Sequence, residues 1–436
     1  MEGWQLSVSI RVLRRNVSKI WYNIKQVSVQ QLFNKLLLFW ARIKTMKIEN
    51  LKVSGVGGIK ELELTFNDGF NVICGANGVG KTTVLDIIAD AFVTVNSNLK
   101  RNANYEKGKY TISFQSVSGV SNKKTFDVLE FVPTKHDSGR VSSIESQYVL
   151  FFSIKRTLNY KSLDSIPKDC SRENRESAQQ LHDGVENSDL KGWFINRYVF
   201  SDKEKSLSAE QKHNFELAKR ALGLLDATVS FLTVDASTLD IKLKTGRGDI
   251  FLEYFSAGYK TCFSLVLGII KEIELRFKNP TIKAEEFNGV IMIDEIDLHL
   301  HPTWQGPLIR TLKELFPKVQ FIVTTHSPSV LQTLNAKEII ALSINENGDT
   351  IQKTFELGRY GLQGWTVEEI LKDIMGMETT TSSVYESAIK NFDVAMERED
   401  AKAVQEAYAV LKEMLHPDSV LLKMMDIQTA GLEEQE

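Results

Sequence analysis

From residue 46 onward, apolar and polar positions alternate in short runs that glycines and an Asn-Asp-Gly turn interrupt. This period of two predicts two or three β-strands over residues 46–75. The last of these strands is predicted to be fully buried, and it ends in a glycine-rich loop. Apolar residues at helical spacing follow from Lys81, so the loop lies between a buried strand and a helix.

The pattern then changes between strand and helix several times. It predicts an antiparallel pair of strands within residues 109–133 and helices over 191–230 and 256–278. Short apolar runs predict three further buried strands, in "QYVLFFSIKRT", "GVIMIDEI" and "VQFIVTTHS". Together these elements indicate an α/β fold, with a mixed sheet, antiparallel additions and flanking helices.

Two stretches depart from this pattern. Residues 160–189 are polar and weakly periodic, which predicts a small insertion or an exposed surface loop without a role of its own. After about residue 345 the chain shows amphipathic helical patterns and few strand signals. We therefore predict three parts: a basic extension over 1–45, a head over 46–345 with the insertion, and a helical tail over 346–436.

Charge is uneven along the 436 residues. The net charge is −3, but residues 1–45 carry eight Lys and Arg against one Glu, which gives +7 and leaves −3 − 7 = −10 elsewhere. Three interpretations of the extension stay open: a basic amphipathic arm, a transit peptide, or sequence upstream of a true start at Met46. The three cysteines are scattered, which fits a reducing cytoplasm, and no apolar run is long enough to span a membrane.

The loop itself has the spacing of a phosphate-binding loop, Gly75-x4-Gly80-Lys81-Thr82. Glycines let backbone N–H groups point at phosphate oxygens, and the following helix adds the positive end of its dipole. Lys81 is expected to bridge the β- and γ-phosphates of ATP, and the Thr82 hydroxyl to hold Mg²⁺. The predicted nucleotide contacts of this loop are Gly75, Ala76, Asn77, Gly78, Val79, Gly80, Lys81, Thr82 and Thr83.

Two carboxylates follow the apolar run of "GVIMIDEI". A buried strand that delivers Asp294 and Glu295 at its carboxyl end suits a nucleotide site on a sheet. We expect Asp294 to act on Mg²⁺ and Glu295 to deprotonate the attacking water. An Asp-Glu pair after a strand is often only a solvated turn, so this interpretation depends on the loop at residues 75–83.

Two further motifs are interpreted together with the loop at residues 75–83 and the Asp294-Glu295 pair. His326 ends the next buried strand, where a histidine either contacts the γ-phosphate or serves as a structural residue. Ser256 and Gly258 precede a long predicted helix, and a helix N-terminus with a serine is either an anion site or a plain N-cap. We predict the functional alternative for all three residues because the motifs occur together.

At this point the chain resembles the ATP-binding-cassette ATPases. The loop "GANGVGKTT", the signature "FSAGYK", the Walker B strand "GVIMIDEIDLHLHP" and the switch histidine in "TTHSP" occur in the order of that family. They are similar to the RecF, SMC and OLD-like heads rather than to transporters. The signature departs from Ser-Gly-Gly-Gln, and "LHLHP", with His299 and His301, stands where transporter heads carry a Ser-Ala-Leu-Asp loop.

The resemblance implies that two heads sandwich ATP, so that the chain self-associates as a homo-oligomer. Ser256 and Gly258 would then touch the ATP of another subunit. The compact head and short helical tail look like the Septu and retron anti-phage ATPases, the PtuA family, which implies a partner HNH-type nuclease. Two alternatives stay open: a RecF-like DNA-repair ATPase that binds DNA, and an ATP-gated scaffold with little hydrolysis. Glu295 argues against the scaffold, because a scaffold needs no base.

Overall fold

The computed structural model describes residues 45–93, 97–137, 144–156 and 160–433. The predicted basic extension therefore lies outside the described residues, apart from Thr45. The chain divides into two compact units, the first ending at Trp365 and the second beginning at Thr366.

The first unit contains thirteen strands among its described residues. They are β1 (Lys47–Val56), β2 (Ile59–Thr65), β3 (Phe70–Gly75), β4 (Gly108–Gln115), β5 (Ser121–Val128), β6 (Val149–Phe152), β7 (Ser230–Val234), β8 (Ile241–Thr245), β9 (Gly248–Phe251), β10 (Val290–Ile293), β11 (Gln320–Thr324), β12 (Ile339–Ile344) and β13 (Thr350–Lys353).

Helices connect these strands. They are α1 (Lys81–Asp90), α2 (Asn174–Asp183), α3 (Leu190–Phe200), α4 (Ala209–Leu225), α5 (Ala257–Arg276), α6 (Pro302–Leu315) and the short α7 (Pro328–Leu331). Helix α2 lies within the stretch whose polarity predicted a loop, and it buries Ser177, Ala178 and Leu181.

The central sheet has six strands in the order β13-β12-β3-β11-β10-β6. Five of them are parallel, and β13 pairs antiparallel with β12. Every residue of β3, β6, β10 and β11 is buried, as expected for strands that helices cover on both faces. Because the carboxyl ends of parallel strands meet at one edge, the segments after β3, β10 and β11 lie together.

Two antiparallel sheets complete the first unit. One has the order β2-β1-β4-β5, and the other is the meander β7-β8-β9. Strands β4 and β5 form the antiparallel pair that the sequence predicts. The structure thus confirms the α/β fold with a mixed sheet, antiparallel additions and flanking helices.

The second unit is helical among its described residues. A short helix α8 (Val367–Glu369) continues into a π-helical turn, and α9 (Ser383–Glu397), α10 (Ala401–Met414) and α11 (Val420–Glu433) follow. These three helices bury a core of their own around Phe392, Tyr408 and Leu411. Across the described parts of both units, no helix is both long and apolar enough to cross a membrane.

Candidate nucleotide site

The loop between β3 and α1 turns sharply because three of its residues are glycines. Gly75, Gly78 and Gly80 have φ angles of 138°, 77° and 99°, in the region that side chains disfavour. A Cβ atom on Gly75 would lie 2.1 Å from the carbonyl oxygen of Leu342 on the neighbouring β12. A Cβ atom on Gly78 would meet nothing within 4 Å, so the loop leaves open space on that side.

Lys81 begins α1 and folds back over the loop. Its ammonium nitrogen donates to the carbonyl oxygens of Gly75, at 2.9 Å, and Ala76, at 2.8 Å. The side chain is buried, and this burial lowers the pKa of the Lys81 ammonium, while nearby acidic groups that include Asp294 and Glu295 oppose the shift. The buried Lys81 ammonium and the positive end of the helix dipole therefore lie together, and both favour a bound anion.

The other loop residues have distinct environments. Asn77 is exposed, and Val79 is buried with its carbonyl oxygen accepting a hydrogen bond from the Thr350 hydroxyl of β13 at 3.3 Å. The methyl group of Thr83 lies 3.2 Å from the position that a Cβ atom on Gly57 would take. The hydrogen bond from Thr350 to Val79 shows that strand β13 supports the loop from outside. The sequence pattern did not predict this contact.

Thr82 and Asp294 meet across the edge of the sheet. The Thr82 hydroxyl lies 3.1 and 3.2 Å from the two carboxylate oxygens of Asp294, and the Thr324 hydroxyl donates to the same carboxylate at 2.6 Å. Asp294 is buried. Hydroxyl and carboxylate oxygens are the ligands that Mg²⁺ prefers, so this pair fits a magnesium ion bound beside phosphates.

Glu295 occupies an unusual backbone conformation directly after Asp294. Its φ angle is +47°, which is rare for a residue with a long side chain. Its backbone N–H donates to the Thr324 hydroxyl at 2.7 Å, and its carbonyl oxygen accepts a hydrogen bond from the Arg156 guanidinium. The turn therefore fixes the backbone of Glu295 from two sides, while its side chain is half-buried.

His326 lies after β11, beside the same edge. Its backbone N–H donates to the Asp297 carboxylate at 3.3 Å, and that carboxylate also accepts from the Thr325 hydroxyl at 2.5 Å. Desolvation, together with the charge of Lys81, lowers the pKa of His326 below its usual 6.5. This shift favours the neutral form of the imidazole.

The signature residues lie on a separate element, at the start of α5. Ser256 is the exposed N-cap, and a Cβ atom on Gly258 would lie 3.0 Å from the carbonyl oxygen of His299. The Tyr259 hydroxyl donates to the Asp226 carboxylate, and the Tyr259 ring packs on Trp304 with centroids 4.1 Å apart. Among the described residues, no hydrogen bond joins Ser256 or Gly258 to the phosphate-binding loop.

Comparison with protein families gives two adjacent matches. Residues 50–253 match an AAA domain model, and residues 255–332 match a second one, described as "AAA domain, putative AbiEii toxin, Type IV TA system". The two matches together contain the loop at residues 75–83, Asp294, Glu295 and His326.

Over 389 residues the chain is 40% identical to the Septu protein PtuA of Bacillus thuringiensis, covering 88% of this chain and 98% of that protein. The chain belongs to the PtuA family. It is 24% identical to the retron Vc95 probable ATPase of Vibrio cholerae, over 67% of this chain and 73% of that protein. Membership of this family makes the chain an ATPase subunit of a bacterial anti-phage system.

Solved structures similar to this PtuA-family chain include the SMC head domain from Thermotoga maritima. The TM-score is 0.39 and the identity 18%, over 71% of this chain and all of that domain. The structure of RecF with bound nucleotide analogue from the RecFOR pathway has a TM-score of 0.34 and 15% identity, over 66% of this chain and 94% of that chain.

Several residues support the site of this PtuA-family ATPase although the sequence analysis assigned them no role. Thr324 contacts both Asp294 and Glu295, Asp297 holds the segment at His326, and Arg156 binds the carbonyl groups of the Asp-Glu turn. Thr324 and Asp297 lie in the motifs that carry His326 and the Asp-Glu pair, so their position was a signal. Arg156 lies in a segment quoted only as a buried strand, and a single arginine there gave no signal of a role.

Proposed function

We propose that this chain binds ATP with Mg²⁺ at the shared edge of β3, β10 and β11 and hydrolyses it there. The observation that carries this proposal is the convergence of Thr82 and Asp294 within 3.1 Å of each other, beside Lys81 and Glu295. Nucleotide sites of α/β sheets lie at such edges, where strand ends and helix N-termini meet.

Each side chain has a role in this proposal. The N–H groups of residues 75–83 and the Lys81 ammonium bind the phosphates, and Thr82 and Asp294 hold Mg²⁺, which neutralises phosphate charge when it is bound. The Glu295 carboxylate accepts the proton of the attacking water. Neutral His326 donates a hydrogen bond to the γ-phosphate.

We further propose that the site is completed by a second copy of the chain. Ser256 is an exposed N-cap on the long helix α5, and it makes no hydrogen bond to the phosphate-binding loop of its own chain among the described residues. An exposed helix N-terminus binds an anion well, which supports a contact between Ser256 and Gly258 and the γ-phosphate on the other copy. Homo-oligomers of this kind couple ATP binding to association.

The partner of the ATPase is a separate nuclease in this proposal, of the HNH type and encoded nearby. Membership of the PtuA family supports it. ATP occupancy of the paired heads would hold or release that nuclease. We expect the complex to act in the cytoplasm, where ATP is supplied.

Glu295→Gln tests the catalytic role. The amide keeps the shape of the side chain but does not accept the proton, so ATP binding persists while turnover falls by about 100-fold or more. Isothermal titration gives the affinity and phosphate release gives the rate. Glu314→Gln, an exposed change on α6, is the matched control. Wild-type turnover in Glu295→Gln would remove Glu295 as the base.

A further inference from the structure

Arg156 is a buried guanidinium close to the proposed catalytic base. It follows β6, the edge strand that pairs with β10, so that Phe152 stands opposite Ile293. The residue is only 1% exposed. Because Ile293 directly precedes the Asp-Glu turn, Arg156 reaches that turn from the neighbouring strand.

The guanidinium holds the backbone of this turn. One terminal nitrogen donates to the carbonyl oxygen of Asp294 at 2.5 Å and to that of Ser153 at 3.1 Å, and the other donates to the carbonyl oxygen of Glu295. The planar group presents its N–H donors in a fixed geometry. It therefore fixes two consecutive peptide groups on either side of the left-handed residue Glu295.

A cation is costly to bury unless hydrogen bonds and opposite charges compensate it. Burial lowers the pKa of Arg156 to about 10, which leaves it charged at pH 7. The carboxylates of Asp294, Asp297 and Glu295 oppose that shift. Arg156 hydrogen-bonds to the carbonyl groups of the turn, so the acidic side chains stay available for Mg²⁺ and water.

Arg156 also stands near the helix that carries the signature. Burial raises the pKa of the Cys262 thiol on α5, and the positive charge of Arg156 partly opposes this rise. The chain after Arg156 leads into α2, α3 and α4, which precede α5. One guanidinium thus lies among the Asp-Glu turn, the segment after β6 and the signature helix.

We infer that Arg156 is a positioning residue for hydrolysis: it locks the left-handed turn so that the Glu295 carboxylate faces the attacking water. This inference rests on the proposed role of Glu295 as the base. Without the two carbonyl contacts, the turn relaxes toward a conformation that residues with side chains prefer, and the carboxylate moves. A displacement of about 1 Å is enough to cost about 100-fold in rate.

Arg276 offers a matched control. It is also buried, its pKa is also lowered to about 10, and it also donates to backbone carbonyl oxygens, those of Ser146, at 3.2 Å, and Val149, at 2.7 Å. These acceptors lie at the opposite end of β6, away from the Asp-Glu turn. Arg276 also donates to the Gln180 side chain at 2.7 Å. Substitution of either arginine removes hydrogen bonds to backbone carbonyl groups, but only those of Arg156 belong to the site.

The experiment compares Arg156→Lys and Arg156→Met with Arg276→Lys and Arg276→Met. All four changes are expected to lower Tm. Only the Arg156 variants should lower kcat, by about 10- to 100-fold, while the KM and Kd for ATP stay within about twofold because the phosphate contacts remain. If the Met variants fail to fold, the Lys variants test the inference. Lysine keeps the positive charge but lacks the planar guanidinium group that binds two carbonyl oxygens at once.

A double substitution separates this inference from the proposed function. Arg156→Lys in the Glu295→Gln background should cause no further loss of kcat, because the base is already absent. If Glu295→Gln is inactive but Arg156→Lys has wild-type kcat, the positioning role is wrong and Glu295 remains the base. Equal losses of kcat in the Arg156 and Arg276 variants would show a merely structural role. Undiminished turnover in Glu295→Gln would overturn the proposed function itself.

Discussion

The ammonium group of Lys81 lies inside its own loop, bonded to two carbonyl oxygens. Its position is set by the turn, because three glycines in positive-φ conformations let the loop close around the nitrogen. Phosphate oxygens offer the same cation a charged acceptor, so that both partners of the hydrogen bond carry charge. In the proposed site, one side chain therefore connects the glycine spacing to nucleotide affinity.

Lys81→Ala is expected to weaken ATP binding by about 100-fold or more, since hydrogen bonds to charged groups are lost. Titration with a fluorescent ATP analogue measures the affinity. Lys47→Ala is the matched control: this buried lysine also donates to two carbonyl oxygens, those of Asp68 at 3.0 Å and Lys318 at 2.7 Å, outside the loop. Unchanged affinity in Lys81→Ala would contradict the assignment of the phosphate-binding loop.

The lowered pKa of His326 makes a prediction about pH. Because its pKa is lowered from the usual 6.5, the imidazole keeps its neutral form into more acidic solution than an ordinary histidine does. If the neutral form donates to the γ-phosphate, kcat/KM, which reports the free enzyme, has its acidic decline centred below pH 6.5. His326→Gln should be slower and lack this acidic decline. A decline centred above pH 6.5 that His326→Gln removes would contradict the lowered pKa.

At the scale of elements, the signature helix α5 and the loop before α6 fit together closely. Gly258 faces the backbone of His299, which itself has a φ angle of +62°. Tyr259 fixes the same region through Asp226 and Trp304. Helix α5 and the loop before α6 therefore together form the surface that we propose meets a second copy. Their close spacing depends on the absence of a side chain at Gly258.

Gly258→Ala is expected to displace this loop, because the added methyl group would lie 3.0 Å from the His299 carbonyl oxygen. Turnover should fall by about 10-fold or more while ATP affinity is kept. Phosphate release and titration measure the two quantities. Gly223→Ala in α4 is the control, since its methyl group would lie 3.7 Å from the Val229 carbonyl oxygen, and it should be neutral or stabilising. Equal turnover in both variants would contradict the close fit.

Elements with strong periodicity were predictable from sequence. Strand β10 is an uninterrupted apolar run, and β3 is interrupted only by Asn71 before it ends at Gly75. The spacing of Gly75, Gly80 and Lys81 indicates a phosphate-binding loop after β3. Strand β13 was missed because "TIQK" is mostly exposed at the sheet edge and carries no apolar period. The hydrogen bonds of Arg156 to residues 294 and 295 depend on strand order, which no local pattern encodes.

At the scale of the whole molecule, the chain consists of two compact units. The first carries the phosphate-binding loop, the Asp-Glu turn, His326 and the signature. The second buries its own helical core around Phe392 and Leu411. Since all four motifs of the proposed site belong to one unit, two copies of that unit would suffice to form the shared ATP site that we propose.

The most direct test of such sharing is ATP turnover in a mixture of two inactive variants. Lys81→Ala removes the ammonium group of the phosphate-binding loop, and Ser256→Arg places a large side chain at the signature. In a mixed pair, one site has both changes and the other has neither, so activity should return to roughly a quarter of the wild-type value for random pairing. A mixture no more active than its separate components, or wild-type turnover by Ser256→Arg alone, would contradict a site shared between two copies.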